Sequence, residues 1–351
     1  MFVYVFCFSL IWILSFHKKN PRNHKIYCVG ITVLLCLLMG FRSESLGMND
    51  VQYIYMPMFQ RISNMRFSDV LEIYPFYRGN LLAVLTKLFT YVCKDKYLWL
   101  ICVSIPSVIA IGKLVYNESE YPAMSFFMLF GTHIYLVNMY LIRHSLAMAF
   151  LIFAFSYIKK EKFVRFAIMV LVAAMFHSTA IVFIIAYFVA KFRFDWKTFV
   201  LTIVGAFLVI RWNSSVFKLV FKYINNEYYS KYSSALGSKQ LTYFYVFLLI
   251  LLLVICCRWF SDNKQVDSVY FNISCLAVIF MSLTAVVADF YRMGMFFGVF
   301  NIILLPNSIK KIKDMKIRMI VSAALIVFFG YFAISGIQDA GLSPYRTWLF
   351  S

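Results

Sequence analysis

The sequence predicts an all-α, polytopic integral membrane helical bundle of about twelve spans, and three observations carry that prediction. The 351-residue chain is 63% hydrophobic and only 14% charged, with a mean hydropathy of +0.79, more apolar surface than a soluble domain can cover. Apolar runs of bilayer length recur from one end to the other. Between them stand lysine clusters, the usual mark of loops kept on the cytoplasmic side. The net charge of +19 therefore reads as loop lysines, and a nucleic-acid partner is not expected. With no linker rich in Gly, Ser or Pro, residues 1–351 read as a single transmembrane domain.

The first apolar run, about 2–16, is followed and not preceded by its basic cluster, HKKNPRNHK (His17–Lys25). It is thus read as a span and not as a cleavable signal, with residue 1 outside. Further runs fall at about 26–41, 97–115, 121–137, 140–158, 163–176, 177–191, 198–211, 241–258, 269–288, 290–307 and 317–335. The stretch 79–93 (GNLLAVLTKLFTYVC) is shorter and amphipathic. If it does not cross, and if 163–191 crosses twice around His177, the clusters at 159–162, 191–197, 258–264 and 310–318 all fall inside. That parity gives twelve crossings, with two long outside segments at about 42–96 and 212–240. The second carries the tyrosine-rich NNEYYSKYSSALGSKQ, suited to stacking on sugars. The eight cysteines are scattered, without C-x-x-C or metal-ligand spacing, and read as small core residues. No metal or cofactor is expected.

Ionisable groups in membrane segments cost roughly 2.5–3.5 kcal/mol each and by default mark a pathway or a site. An arginine-histidine pair, Arg143-His144, stands in the apolar helix read over Met139–Ile158, and His177 breaks the later run within Phe-His-Ser-Thr. Under the topology above, Arg42, Asp50, Arg78, Arg143, His177, Asp289, Arg292, Tyr345 and Arg346 all lie toward the outside, where arginine replaces lysine. Arginine's planar fork suits bidentate phosphate recognition. Preorganised guanidinium groups stabilise the charge that develops on a departing diphosphate. Transfer to a sugar hydroxyl also needs a base, for which His177, or Asp50 or Asp289, is chemically suited. Plainer readings compete: Arg143 snorkelling to headgroups, His177 as a cap, Asp289 and Arg292 paired at i,i+3, and Asp50 as an N-cap. His144 should face away from Arg143, in packing or toward lipid, and Arg78 and Glu72 are the weakest members of the set.

Four stretches, in order and covering most of the chain, resemble the EpsG family of Wzy-type polysaccharide polymerases. They are Gly40-Phe41-Arg42-Ser43 through Gly47-Met48-Asn49-Asp50 with Tyr53, Tyr55 and Phe59; Ile142 to Phe150 (IRHSLAMAF) with Tyr157; Ala174 to Ala180 (AMFHSTA); and Tyr291-Arg292 leading to Leu305-Pro306, with Pro344-Tyr345. The first has one extra residue before Asp50, and the family's Glu before Gly-Phe is not matched at Glu72. The resemblance implies a fold similar to membrane-embedded C-type glycosyltransferases. It implies an enzyme that joins undecaprenyl-diphosphate-linked oligosaccharide repeat units into surface polysaccharide at the outer leaflet of the bacterial cytoplasmic membrane, with a chain-length regulator as a possible partner. It leads us to expect His177, Asp50 and Asp289 as catalytic candidates, and Arg42, Arg143, Arg292, Arg78, Tyr345 and Arg346 as substrate contacts. A lipid-linked glycan flippase, an O-acyltransferase and a glycan ligase are the rival expectations. The flippase fits less well because the arginines gather on one side and the halves show no repeat; the acyltransferase, because the inner loops offer no acyl-CoA entry.

Overall fold

A computed structural model describes residues 1–17, 21–48, 50–192, 196–223, 241–261 and 266–350. The described chain is helical throughout, with two isolated antiparallel bridges, Arg42 with Thr347 and Ser261 with Ile312. It divides into two compact units, Met1–Ile181 with Ile320–Ser351, and Val182–Met319.

The spine of the first unit is α2 (Pro21–Gly40), α6 (Lys96–Glu118), α9 (Ile142–Lys159) and α10 (Phe163–Phe176), each packed on the next. Small side chains let these helices approach: a Cβ on Gly112 of α6 would lie 2.1 Å from Thr32 Oγ1 of α2. Aromatic stacking locks α9 on α10, with the Phe150 and Phe176 rings 5.4 Å apart. The first unit also holds α1 (Phe2–Ile13) and most of α17 (Met315–Asp339), which carries exposed Val327 and Tyr331.

Two expectations change here. The run 121–137, read as one span, is two short helices, α7 (Pro122–Gly131) and α8 (Ile134–Tyr140), broken at Thr132 and a left-handed His133 (φ 60°). Every residue of both helices is buried, and broken backbone is tolerated at membrane depth where protein covers it. The helix read over Met139–Ile158 starts only at Ile142, after non-helical Leu141, so Arg143 stands in the first turn of that span.

The segment 42–96, read as an outside loop, contains three helices: α3 (Met56–Asn64), α4 (Phe67–Ile73) and α5 (Leu81–Val92). A small core of Ile62, Val70 and Ala83 holds them together. At 12 residues, α5 is about 18 Å long, too short for a bilayer core of about 30 Å. In the expected second outside segment, helix α12 (Trp196–Tyr223) continues to Tyr223, and residues 224–240 with their tyrosines lie outside the described residues.

In the second unit, α14 (Ser268–Ser282) is buried at most positions and contacts α11 (Ile185–Val189), α12, α13 (Thr242–Trp259), α15 (Tyr291–Gly298) and α16 (Asn301–Lys310). Its N-cap Asp267 accepts hydrogen bonds from the N–H groups of Val269 and Tyr270.

By length and composition, six described helices can cross a membrane: Arg22–Gly40 within α2, α6, α9, α13, Ser268–Ala285 and α17. The pair Ala288–Gly298 and Asn301–Lys310, bent by 50° at its break, makes a seventh if it is one span. The chain is a polytopic helical membrane protein. The cysteines are all free, and Cys102 and Cys256 are exposed on spans and not part of the core.

Candidate functional site

Four interruptions of regular helix meet in the first unit, and each brings a polar side chain. The first is a π-helical turn, Val51–Tyr55, which leads into α3; such turns are frequent at functional sites. The second is the 3-10 turn Phe76–Arg78 with Gly79 and Asn80 behind it. The third is the start of α9, and the fourth is the end of α10 at His177.

Arg143 ties the first three together. Its guanidinium Nη1 donates to Asn80 Oδ1 at 2.9 Å, and its backbone N–H donates to the Tyr55 hydroxyl at 3.3 Å. The side chain is half-buried, and among the described residues it meets no carboxylate. A cation in the first turn of an 18-residue helix adds to the positive end of the helix dipole, which disfavours a second positive charge and favours an anion.

The fourth interruption is His177. Its backbone is extended (φ −148°, ψ 108°). Its N–H closes α10 on Ala173 O at 3.0 Å, and its carbonyl accepts from Ala180 N–H at 2.9 Å. The chain break thus falls at the position the sequence marks. The half-buried ring lies edge-on to that of His144, with centroids 5.7 Å apart. Of the two places expected for His144, packing or lipid, the structure shows packing: the residue is buried and its ring lies against that of His177.

The 76–80 turn reaches the histidines through Gly79. That residue has φ +80°, and a Cβ there would lie 2.9 Å from Ser178 N and 3.5 Å from His177 Cα. Gly79→Ala is therefore expected to cost about 2 kcal/mol, from the left-handed backbone and the close approach together. Thermal unfolding of the purified protein checks this, and an unchanged midpoint would show that the turn does not press on the break.

Arg78 is exposed beside this turn, with its guanidinium 5.8 Å from the Tyr77 ring centroid. Asp50 begins the π turn that carries Tyr55, and its side chain makes no cap bond there.

Arg42, Tyr345 and Arg346 gather elsewhere in the same unit. The tail 341–348 straps across 40–47: Ser43 N–H donates to Arg346 O (2.8 Å), Gly47 N–H to Gly341 O (3.2 Å) and Trp348 Nε1 to Gly40 O (3.2 Å). The Tyr345 hydroxyl donates to Leu38 O (3.0 Å). Arg42 is wholly buried, donating through Nη1 to Met39 O and to Ser104 Oγ (3.0 Å), while its Nε and Nη2 have no hydrogen-bond partner among the described residues. Burial pushes its guanidinium down to about 10, with Tyr135, Tyr345 and Tyr4 as electrostatic neighbours. The arginine expected to open the first outside loop toward substrate is thus covered.

Replacing a buried, uncompensated charge with an apolar side chain of similar length is often neutral, whereas truncation leaves a cavity. Arg42→Met is therefore expected to stay within about 1 kcal/mol of wild type and Arg42→Ala to lose about 3 kcal/mol, read by thermal unfolding in detergent. Equal losses would show that the charge itself stabilises the strap.

Asp289 and Arg292 lie in the second unit and pair with each other, Nη2 to Oδ1 at 3.3 Å. The arginine sits 5.8 Å from the Tyr291 ring centroid, and Tyr291 stacks on Tyr243 at 5.6 Å and 26°. This half-exposed pair of rings beside an ion pair has the composition of a sugar-stacking platform.

The EpsG family model matches residues 25–347. The chain belongs to the EpsG family. That family is Wzy-type polymerase-like, and the match spans all four interruptions, the strap as far as Thr347, and the second unit. No curated protein and no solved structure matches the chain.

Within this EpsG chain, sequence reasoning singled out Arg143 and His177 but missed Asn80 as the partner of Arg143 and His144 as the partner of His177. Tyr55 is quoted in the family pattern without a role. A signal for Asn80 was present: it follows a glycine just before an amphipathic helix, the pattern of a turn that presents its side chain.

Proposed function

We propose that this protein is a membrane glycosyltransferase that polymerises lipid-diphosphate-linked oligosaccharide repeat units, of the undecaprenyl type, at the outer leaflet of the bacterial cytoplasmic membrane. The observation that carries this reading is the half-buried Arg143 guanidinium, lacking a carboxylate partner among the described residues, at a helix start beside the His144–His177 pair. Membership of the EpsG family supports it.

In the proposed reaction, the bond between the anomeric carbon of the growing chain and its diphosphate oxygen breaks, and the electron pair leaves with the diphosphate. Arg143, oriented by Asn80, stabilises that charge, with Arg78 at the rim. The hydroxyl of the nonreducing-end sugar of an incoming unit bonds to the anomeric carbon. Its proton passes to His177, which His144 orients; Asp50 is the alternative base. Asp289, Arg292 and Tyr291 serve as glycan contacts. Arg42, Tyr345 and Arg346 would meet substrate only if the strap opened.

Added to the six long helices and the bent pair, the short helices α1 and α10, the pair α7–α8, the segment 177–191 and α12 complete about twelve crossings, with both termini outside. A chain-length regulator is the proposed partner.

The reading is tested by the glycan profile of a strain lacking this gene. Single repeat units on lipid carrier, exposed at the outer leaflet, are expected in place of polymer. Repeat units held at the inner leaflet would favour a flippase instead. Full-length polymer left unattached to its final acceptor would favour a ligase.

A further inference from the structure

The end of α9 remote from Arg143 presents a second polar site that the polymerase reading does not use. Between α6 and α9 lies a cleft of about 190 Å³ lined by Lys113, Asn117, Glu118, Ser156 and Lys160. Its carboxylate is already engaged, Glu118 with Lys159 at 2.5 Å. Lys113 sits 5.4 Å from the Phe153 ring centroid, and among the described residues neither Lys113 nor Lys160 lies in an ion pair. The cleft therefore holds net positive charge.

Lys113 also lines a second cavity on the adjoining flank of α6. This is a groove of about 370 Å³ against α2, almost wholly apolar, bounded by Lys25, Val29, Val33, Cys36, Ile109 and Tyr116. Val29, Val33 and Ile109 are about half exposed, and the floor is the close contact of Gly112 with Thr32. Both walls belong to helices long and apolar enough to span a membrane, so the filling of such a groove is lipid chain. From Lys25 to Cys36 it runs about 17 Å along α2, close to half of a bilayer core of about 30 Å. The groove is thus one leaflet deep, with Lys25 at its headgroup end and Lys113, beside the Gly112–Thr32 contact, about two helical turns further in.

We propose that groove and cleft together hold one anionic phospholipid. Its phosphate lies among Lys25, Lys113 and Lys160, and an acyl chain lies along α2 and α6. Charge complementarity selects an anionic over a zwitterionic headgroup, at about five-fold per lysine near a membrane surface. Under the positive-inside orientation this is an inner-leaflet lipid, but the site itself does not depend on the orientation or on the polymerase reading.

The test is native mass spectrometry of the full-length protein taken from nanodiscs made of equal parts phosphatidylglycerol and phosphatidylcholine. Wild type is expected to retain phosphatidylglycerol preferentially. Lys113→Gln combined with Lys160→Gln is expected to lower that preference about 30-fold, whereas the double Lys→Arg variant keeps it. Val33→Trp, which fills the groove from an exposed position, is expected to reduce retained lipid without reversing the preference, and it carries the test if the double Gln variant does not elute as a single species. An unchanged preference in the Gln variant, or unchanged retention in Val33→Trp, overturns the proposal. So does displacement of the lipid by inorganic phosphate at matching headgroup concentration, which would mark a site for free anions.

Discussion

His177→Ala is expected to remove the polymer ladder from a complemented deletion strain, with the protein present in membranes at wild-type level. General base catalysis by a positioned side chain typically contributes about 10²–10⁴ in rate, and a ladder assay reads a loss of that size as single repeat units. Stability should change little, because the main chain of His177, and not its ring, makes the hydrogen bonds that end α10 and start the next turn. His177→Gln, which keeps polar atoms near the ring position but cannot serve as a base, should fail equally. A His177→Ala strain that still makes full-length polymer would remove this residue from the chemistry and move attention to Asp50. His144→Ala separates the roles within the pair: a positioning ring predicts a partial loss and a shifted pH profile of polymerisation, whereas a packing ring predicts lower protein abundance with the profile unmoved.

Arg143→Ala is the second large effect. Losing one preorganised donor to a developing anion costs about 10²–10³ in rate, and here the guanidinium is held by Asn80 at 2.9 Å. Arg143→Lys keeps the charge but loses the fork, so it should recover only part of the activity. Asn80→Ala should resemble the lysine variant, since it frees the guanidinium without removing it. The measurement is initial polymerisation rate on lipid-linked repeat units in proteoliposomes. If Arg143 merely snorkels to headgroups, lysine would serve as well as arginine and Asn80→Ala would be silent.

Much of the architecture is legible in the sequence because bilayer length and hydropathy constrain each segment locally. The break at His177 shows as a polar interruption of an apolar run, and α5 shows as a stretch shorter and more amphipathic than the spans. The readings that changed share a cause. Residues 121–137 read as one span because apolar composition looks alike whether lipid or protein covers a helix, and only the surrounding helices reveal that α7 and α8 are buried. Arg42 read as an outside arginine from its position after α2, but the tail that buries it is some 300 residues away in the chain. Helical periodicity set His144 on a different side of α9 from Arg143, and only the packing of separate segments shows that the ring it meets is that of His177, just past the end of α10.

By itself, the sequence determined that this is a helical membrane protein, where its long apolar helices lie, and which family it belongs to, because those properties rest on composition and on patterns between near neighbours. Only the tertiary structure decided which polar groups share a site. Tyr55, Asn80, Arg143 and His177 meet across gaps of tens of residues, and no local periodicity encodes a contact that forms only when separate helices pack.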